Sequence, residues 1–332
     1  MEEYIKTRLE EGKNPLRSQI TEELEYSKGI ESIKYESLLV MGMGGSGIAG
    51  DVLKLVSNTV STRNVIVRKD YSIPSHISEQ NPFCLFISYS GNTEETISGL
   101  NDAIKNNLDW AVISSGGQLI DEAKTHGREY IKIPSGLQPR NAFGYLTQAV
   151  CRFVDNNEGT NITSRIQEET NEDIDEELFS SAHNLAKEMK RKTCLIYGGT
   201  PMTRLVASRW KTQINENAKS RAFVGDIPEV HHNEILSWDS DPEFSMENYH
   251  LVMLRDEPNE HEQIIKRFNY TEKLLEKKVS YSSIKSSSKD IFGALMYLIL
   301  LGDLISIYLA EELGIDTMNI DTIEELKKLL KG

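Results

Sequence analysis

Cysteine is scarce in this chain of 332 residues: Cys84, Cys151 and Cys194 are the only three, scattered and without CxxC spacing. An odd, dispersed set argues against a disulfide framework and fits reduced thiols in a cytoplasmic protein. Positive charge is also short, with 37 Lys and Arg against 51 Asp and Glu and a net charge of −14. Nucleic-acid binding generally needs a basic face, so no nucleic-acid partner is expected. An anionic small molecule is not excluded, because oriented N–H groups and a few local cations overcome the global field. The first residues, Met1-Glu2-Glu3-Tyr4, are acidic and carry no apolar stretch, so no signal peptide is expected. Only residues 291–310 form a long apolar run, and Gly302 and Asp303 interrupt it. With no basic flank and no second candidate, it reads as a buried core helix and no membrane partner is expected.

What is present is more informative. The hydrophobic content of 39% is enough for a sizeable core, and at this length for two. Two Gly/Ser loops stand out, Gly42-Met43-Gly44-Gly45-Ser46-Gly47 and Ser88-Tyr89-Ser90-Gly91-Asn92-Thr93. Each follows a short apolar run that reads as a buried parallel strand, and each precedes a segment that starts a helix. Backbone N–H groups and hydroxyls gather at such a helix N-terminus and bind phosphate or another small anion. Two loops on neighbouring strands point to one phosphorylated small molecule held from two sides.

The chain reads as α/β, two similar doubly wound parallel-sheet halves. Strands are expected at 37–41, 64–68, 83–87, 110–113 and 130–133, with a helix over 48–57. The second half repeats the order, with strands at 193–197, 222–224 and 250–254 around the Gly198-Gly199-Thr200-Pro201 turn. The expected boundaries are 1–155 for a first domain with the phosphate loops, 156–180 for a connection and 181–332 for a second domain. Residues 156–177, rich in Asp, Glu, Asn and Thr, read as a solvated connection or helix entry, not a core element. Where the first half has its serine loop, the second has Leu254-Arg255-Asp256-Glu257, which repels phosphate. In the tail, Ile323, Leu326, Leu329 and Leu330 recur at helical spacing, so a terminal helix docked on the body is expected.

Each motif has a competing explanation. Gly42-x-Gly44-x-x-Gly47, followed by Asp70, matches a dinucleotide fingerprint and an NAD-dependent enzyme. That reading leaves the hydroxyls of Ser88, Ser90 and Thr93 unexplained. Thr93 or Asn92 as a helix cap explains one hydroxyl and leaves the other two without a role. Glu216, in the polar run 215–219, reads on periodicity alone as a solvated helix end. Arg140 reads as a surface partner for acid. His231 and His232 with Glu229 or Glu234 lack the usual zinc-ligand spacing.

Taken in order, Met43-Gly44-Gly45-Ser46-Gly47, Ser88-Tyr89-Ser90-Gly91-Asn92-Thr93, Pro139-Arg140, Asn215-Glu216-Asn217-Ala218-Lys219 and Pro228-Glu229-Val230-His231-His232-Asn233-Glu234 change the balance. With them, the sequence resembles the sugar isomerase (SIS) domain proteins, most closely the bifunctional phosphoglucose/phosphomannose isomerases. The resemblance covers both halves. It implies interconversion of fructose 6-phosphate with glucose 6-phosphate and mannose 6-phosphate. Such chemistry opens a sugar ring and moves a proton between C1 and C2 through a cis-enediol. Ring opening suits a histidine, proton transfer a carboxylate, and the developing enediolate a fixed positive charge.

By resemblance, His232 opens the ring, Glu216 is the base and Arg140 stabilises the enediolate. Gly45, Ser46, Ser88, Ser90 and Thr93 hold the phosphate. A C-terminal lysine assists ring opening; of Lys327, Lys328 and Lys331, the Ile-x-x-Leu-Lys pattern favours Lys327. The preceding Asp316-Thr317-Met318-Asn319 departs from the family's Thr-Pro-rich pattern, which leaves the epimer preference open. The family also implies a homodimer in which the His232 loop reaches the partner's site, with no metal and no cofactor. Two alternatives remain beside it: a non-catalytic phosphosugar sensor, and an isomerase of an amino sugar or another ketose phosphate.

Overall fold

The computed structural model describes residues 3–60, 63–286 and 288–330; Lys331 lies outside them. Lys13–Glu172 forms one compact unit, and the chain on either side of it forms the other.

Continuous apolar runs build the first unit's sheet. Its strands are β1 (Glu25–Tyr26), β2 (Ser37–Met41), β3 (Asn64–Arg68), β4 (Phe83–Ile87), β5 (Trp110–Ser114) and β6 (Glu129–Lys132). Every residue of β4 and β5 is buried, as expected for parallel strands covered on both faces. The order is β1-β6-β5-β4-β2-β3, all parallel except the short antiparallel β1. Counted from β2, the parallel strands run 2-1-3-4-5, the flavodoxin-like winding, not the 3-2-1-4-5-6 of the dinucleotide-binding fold. The winding reverses between β2 and β4, and the two Gly/Ser loops follow those two strands. In open α/β sheets the ligand crevice lies at that reversal, beyond the carboxyl ends of the strands.

The other unit repeats this plan with four parallel strands in place of five. Its strands β7 (Thr193–Gly198), β8 (Ala222–Asp226), β9 (Tyr249–Arg255) and β10 (Ser280–Lys285) lie parallel in the order β10-β9-β7-β8. At its own reversal, Thr200 and Thr203 form a reciprocal capping box that opens the helix Pro201–Asn217, with Pro201 in the first turn. Beside it stand buried Asp256 and the Arg255–Glu260 ion pair at 2.8 Å. This end is acidic, and its polar groups bond one another.

The long apolar run forms the helix Ile291–Leu313, capped by Asp290 and stopped by Gly314 at φ +66°. It packs between the helices Glu176–Met189 and Pro201–Asn217, and 78% of its most apolar stretch is buried. Both interruptions have a use here. A Cβ on Gly302 would lie 2.2 Å from the ring of Trp210, whose indole N–H donates to the Leu298 carbonyl at 2.7 Å. Asp303 accepts two bonds from the buried Arg209, from Nε at 3.1 Å and Nη2 at 2.9 Å. Burial raises the Asp303 carboxyl's pKa, and the guanidinium opposes it. All three cysteines are free and buried.

Three expectations are corrected. The helix expected over 48–57 spans Gly44–Val60, so it starts inside the Gly loop and puts Ser46 in its first turn. Tertiary anchoring overrides the poor helix propensity of glycine there. The stretch 156–177, expected to stay out of the core, contributes to it: it holds the helix Ile162–Glu169, with Ile162, Thr163 and Ile166 buried. The terminal helix Asp321–Leu330 forms, but none of its residues is buried; Leu326 and Leu329 are 56% and 73% exposed. Its apolar stripe marks a helix correctly and is left exposed among the described residues.

Candidate active site

The two loops at the first unit's reversal are tied together. The Tyr89 N–H donates to Ser46 Oγ at 3.0 Å, linking the serine loop to the first turn of Gly44–Val60. Having accepted that bond, the Ser46 hydroxyl still has a proton to donate. Ser88 Oγ lies 2.7 Å from Thr93 Oγ1 and 3.5 Å from Ser90 Oγ. The Gly91 N–H donates to Ser88 Oγ at 3.1 Å and the Asn92 N–H to Ser90 Oγ at 3.2 Å. Three hydroxyls thus converge.

Thr93 occupies the cap position of the helix Glu94–Lys105 but makes no side-chain cap bond. Its hydroxyl turns to Ser88 instead, so simple capping does not account for it. Two helix N-termini meet here, each with first-turn N–H groups that lack intrahelical partners. The arrangement suits an anion with several acceptor oxygens.

Gly91 makes the turn possible. Its φ is +70°, and a Cβ there would sit 1.8 Å from the Gly116 carbonyl oxygen. We expect Gly91→Ala to cost roughly 2–4 kcal/mol of stability and to weaken phosphate-ester binding. A thermal melt at the parent Tm would contradict this packing.

Arg140 joins the same loops. It sits in the 3-10 turn Pro139–Asn141 and is 3% exposed, so it is not the surface residue that pairing with surface acid would require. A Cβ placed on Gly45 would lie 3.2 Å from the Pro139 carbonyl oxygen and 3.8 Å from the Arg140 Cα. Gln19 Nε2 holds this turn from below by donating to the Asn141 carbonyl at 2.6 Å. The Arg140 backbone is therefore held beside the Gly loop, and its side chain is buried. Asp70, the acid of the dinucleotide reading, is instead paired with Arg68 Nη2 at 2.7 Å and accepts the Tyr71 N–H.

Glu216, His232 and Lys327 belong to the other unit. Glu216 is half-buried near the end of Pro201–Asn217. The end is not a loose solvated tail. Asn217 is buried and donates to Ser306 Oγ at 2.9 Å, Ala218 is buried, and Asn215 Nδ2 donates to the Ser220 carbonyl at 2.8 Å.

The adjacent histidines, on the 3-10 turn Glu229–His232, have different surroundings. Arg267 Nη1 lies 3.1 Å from His231 Nδ1, and Thr271 Oγ1 lies 2.8 Å from Nε2. A guanidinium only donates, so Nδ1 accepts and Nε2–H donates to Thr271. The Thr271 hydroxyl passes on to the Arg267 carbonyl at 2.7 Å. Burial, then Arg267 and His232, push the His231 pKa down, which keeps the ring neutral. His231 is a strut with both nitrogens engaged; His232 is exposed. Among the described residues no group of three or more His, Cys, Asp or Glu is placed to hold a metal ion. Lys327, on the uncovered terminal helix, pairs with Glu324 at 2.8 Å.

The chain is similar to known proteins over most of its length. Residues 179–330 match the family described as the bacterial phospho-glucose isomerase C-terminal SIS domain. The bifunctional phosphoglucose/phosphomannose isomerase of Aquifex aeolicus (strain VF5) is 34% identical, over 90% of this chain and 91% of its own. Its namesake from Thermoplasma volcanium is 36% identical, over 93% of this chain and 96% of its own. The chain belongs to the bifunctional phosphoglucose/phosphomannose isomerase family. Among solved structures, the C-terminal domain of glucosamine-fructose-6-phosphate aminotransferase from Francisella tularensis superposes with a TM-score of 0.71. It covers 95% of this chain and 97% of its own at 13% identity, which shows a shared fold.

For a member of this family, the residues that sequence reasoning left without a role are instructive. Asn217 and Lys219 follow Glu216 in the motif, yet only the structure shows that they anchor the helix end. Tyr89, hidden between two serines, supplies the N–H that joins the loops.

Proposed function

We propose that this chain interconverts fructose 6-phosphate with glucose 6-phosphate and mannose 6-phosphate. Family membership carries this reading, and the convergent hydroxyls at the sheet's reversal support it. Ser46, Ser88, Ser90 and Thr93, with the Gly45 N–H, hold the phosphate. His232, assisted by Lys327, opens the ring; its exposure leaves it available, while His231 is committed to Arg267 and Thr271. Glu216 takes a proton from one carbon and returns it to the next. Arg140 stabilises the negative charge that develops on the enediolate oxygens. The proton shift is redox-neutral within the sugar, so it calls on no external electron acceptor or organic cofactor.

The protein acts as a homodimer in the cytoplasm, in the sugar-phosphate interconversions of glycolysis and gluconeogenesis, with His232 presented to the partner's site. Exposed Leu236 on the same loop, 69% open, and the uncovered stripe of the terminal helix support an assembly of more than one copy.

The test is incubation with fructose 6-phosphate in excess EDTA, following both aldose phosphates. Both products are expected. Glucose 6-phosphate alone would narrow the function to one epimer. No product from protein that binds the sugar phosphate would favour the sensor.

A further inference from the structure

Lys219 has a backbone conformation that its residue type disfavours. The helix Pro201–Asn217 ends on Ala218, and the next residue, Lys219, has φ +51°. Glycine is the usual occupant of that left-handed position, because a Cβ is strained there. A lysine at such a site carries strain that contacts of its side chain can offset.

The ammonium makes such contacts. Lys219 Nζ donates to the Glu216 carbonyl at 2.8 Å, the Asp316 carbonyl at 3.0 Å and the Thr317 carbonyl at 3.3 Å. An ammonium carries three N–H donors, and these oxygens match that number. The first belongs to the last turn of the helix, where carbonyls lack intrahelical partners and the dipole favours a cation. The other two lie on the segment between the helix Ile291–Leu313 and the terminal helix Asp321–Leu330. That segment is already turned on itself, with the Met318 N–H donating to Asp316 Oδ1 at 2.8 Å.

We infer that Lys219 is a positioning residue: its ammonium locks the backbone of Glu216 to residues 316–317, fixing the proton-transfer carboxylate and the C-terminal segment as one body. This rests on the assignment of Glu216 as the base. Lys219 touches no reacting atom in this account, and its effect runs through the Glu216 main chain.

Lys219→Gly is the informative variant, since it keeps the left-handed turn without strain and removes only the cation. Lys219→Arg restores a multidentate donor. Hydrogen–deuterium exchange of residues 314–320 and steady-state isomerisation are measured on the full chain of each. We expect Lys219→Gly to exchange faster at 314–320 and to lose roughly tenfold to a hundredfold in kcat. Its KM stays within about threefold. Lys219→Arg recovers most of both readouts. Parent-like exchange in Lys219→Gly overturns the tie. Faster exchange with a parent-like kcat overturns the positioning of Glu216. If the parent chain itself fails to isomerise, the assignment of Glu216 falls, and exchange at 314–320 still decides the tie.

Discussion

Glu216→Gln is expected to lower kcat by roughly 10²- to 10⁴-fold and to leave KM for fructose 6-phosphate within about threefold. The amide keeps the size and hydrogen-bonding reach of the carboxylate but cannot take a proton from carbon. The surroundings favour so narrow an effect. Asn217 is bound to Ser306, and the Glu216 carbonyl is held by Lys219, so the helix end has several anchors that the substitution leaves alone. The phosphate contacts assigned here come from Ser46, Ser88, Ser90 and Thr93, which are untouched. A glutamine variant with kcat near that of the parent would remove Glu216 from the role of base.

The second large effect concerns stability. Asp303→Leu removes the carboxylate that accepts two bonds from Arg209, a side chain only 1% exposed. Breaking a buried ion pair from one side typically costs about 3–5 kcal/mol, because the remaining charge cannot be resolvated. Adding Arg209→Met should recover most of the loss, since a buried pair and an apolar pair of similar volume are often close in stability. Urea unfolding of the two variants and the parent measures both quantities. A cost below about 1 kcal/mol for Asp303→Leu alone would show that the pair does not anchor these helices.

These residues also show how far sequence reading reaches. β2, β4, β5, β7 and β9 are legible because strands covered on both faces must be continuously apolar. The polar edge strand β10, with the sequence Ser-Tyr-Ser-Ser-Ile-Lys, carries no such signal and is visible only in its pairing with β9. The start of the helix at Gly44 is hidden because glycine is a poor helix former, and the loop's role rests on its place at the reversal of winding. Strand order cannot be read from periodicity, so the dinucleotide alternative survives in the sequence and meets contrary strand order only in the fold.

The candidate site divides in the same way. Hydroxyl spacing at 88, 90 and 93 foretells a cluster, because the turn at Gly91 folds them onto one point. Spacing cannot separate His231 from His232: the strut depends on Arg267 and Thr271, whose helix Glu262–Leu275 is distant in sequence. Arg140 looks like any arginine in an acidic protein until its burial is known. The amphipathic stripe of the terminal helix announces a helix, but not what covers it.

Glu216 is proposed to transfer the proton through an enediol. The most direct measurement is isomerisation of fructose 6-phosphate in D2O by parent and Glu216→Gln, followed by NMR at C1 and C2. With the parent, solvent deuterium is expected to accumulate at the exchanging carbon positions over many turnovers, and Glu216→Gln to slow both uptake and product formation by roughly 10²- to 10⁴-fold. Rapid product formation with no deuterium uptake after many turnovers, or undiminished uptake in Glu216→Gln, would contradict this assignment.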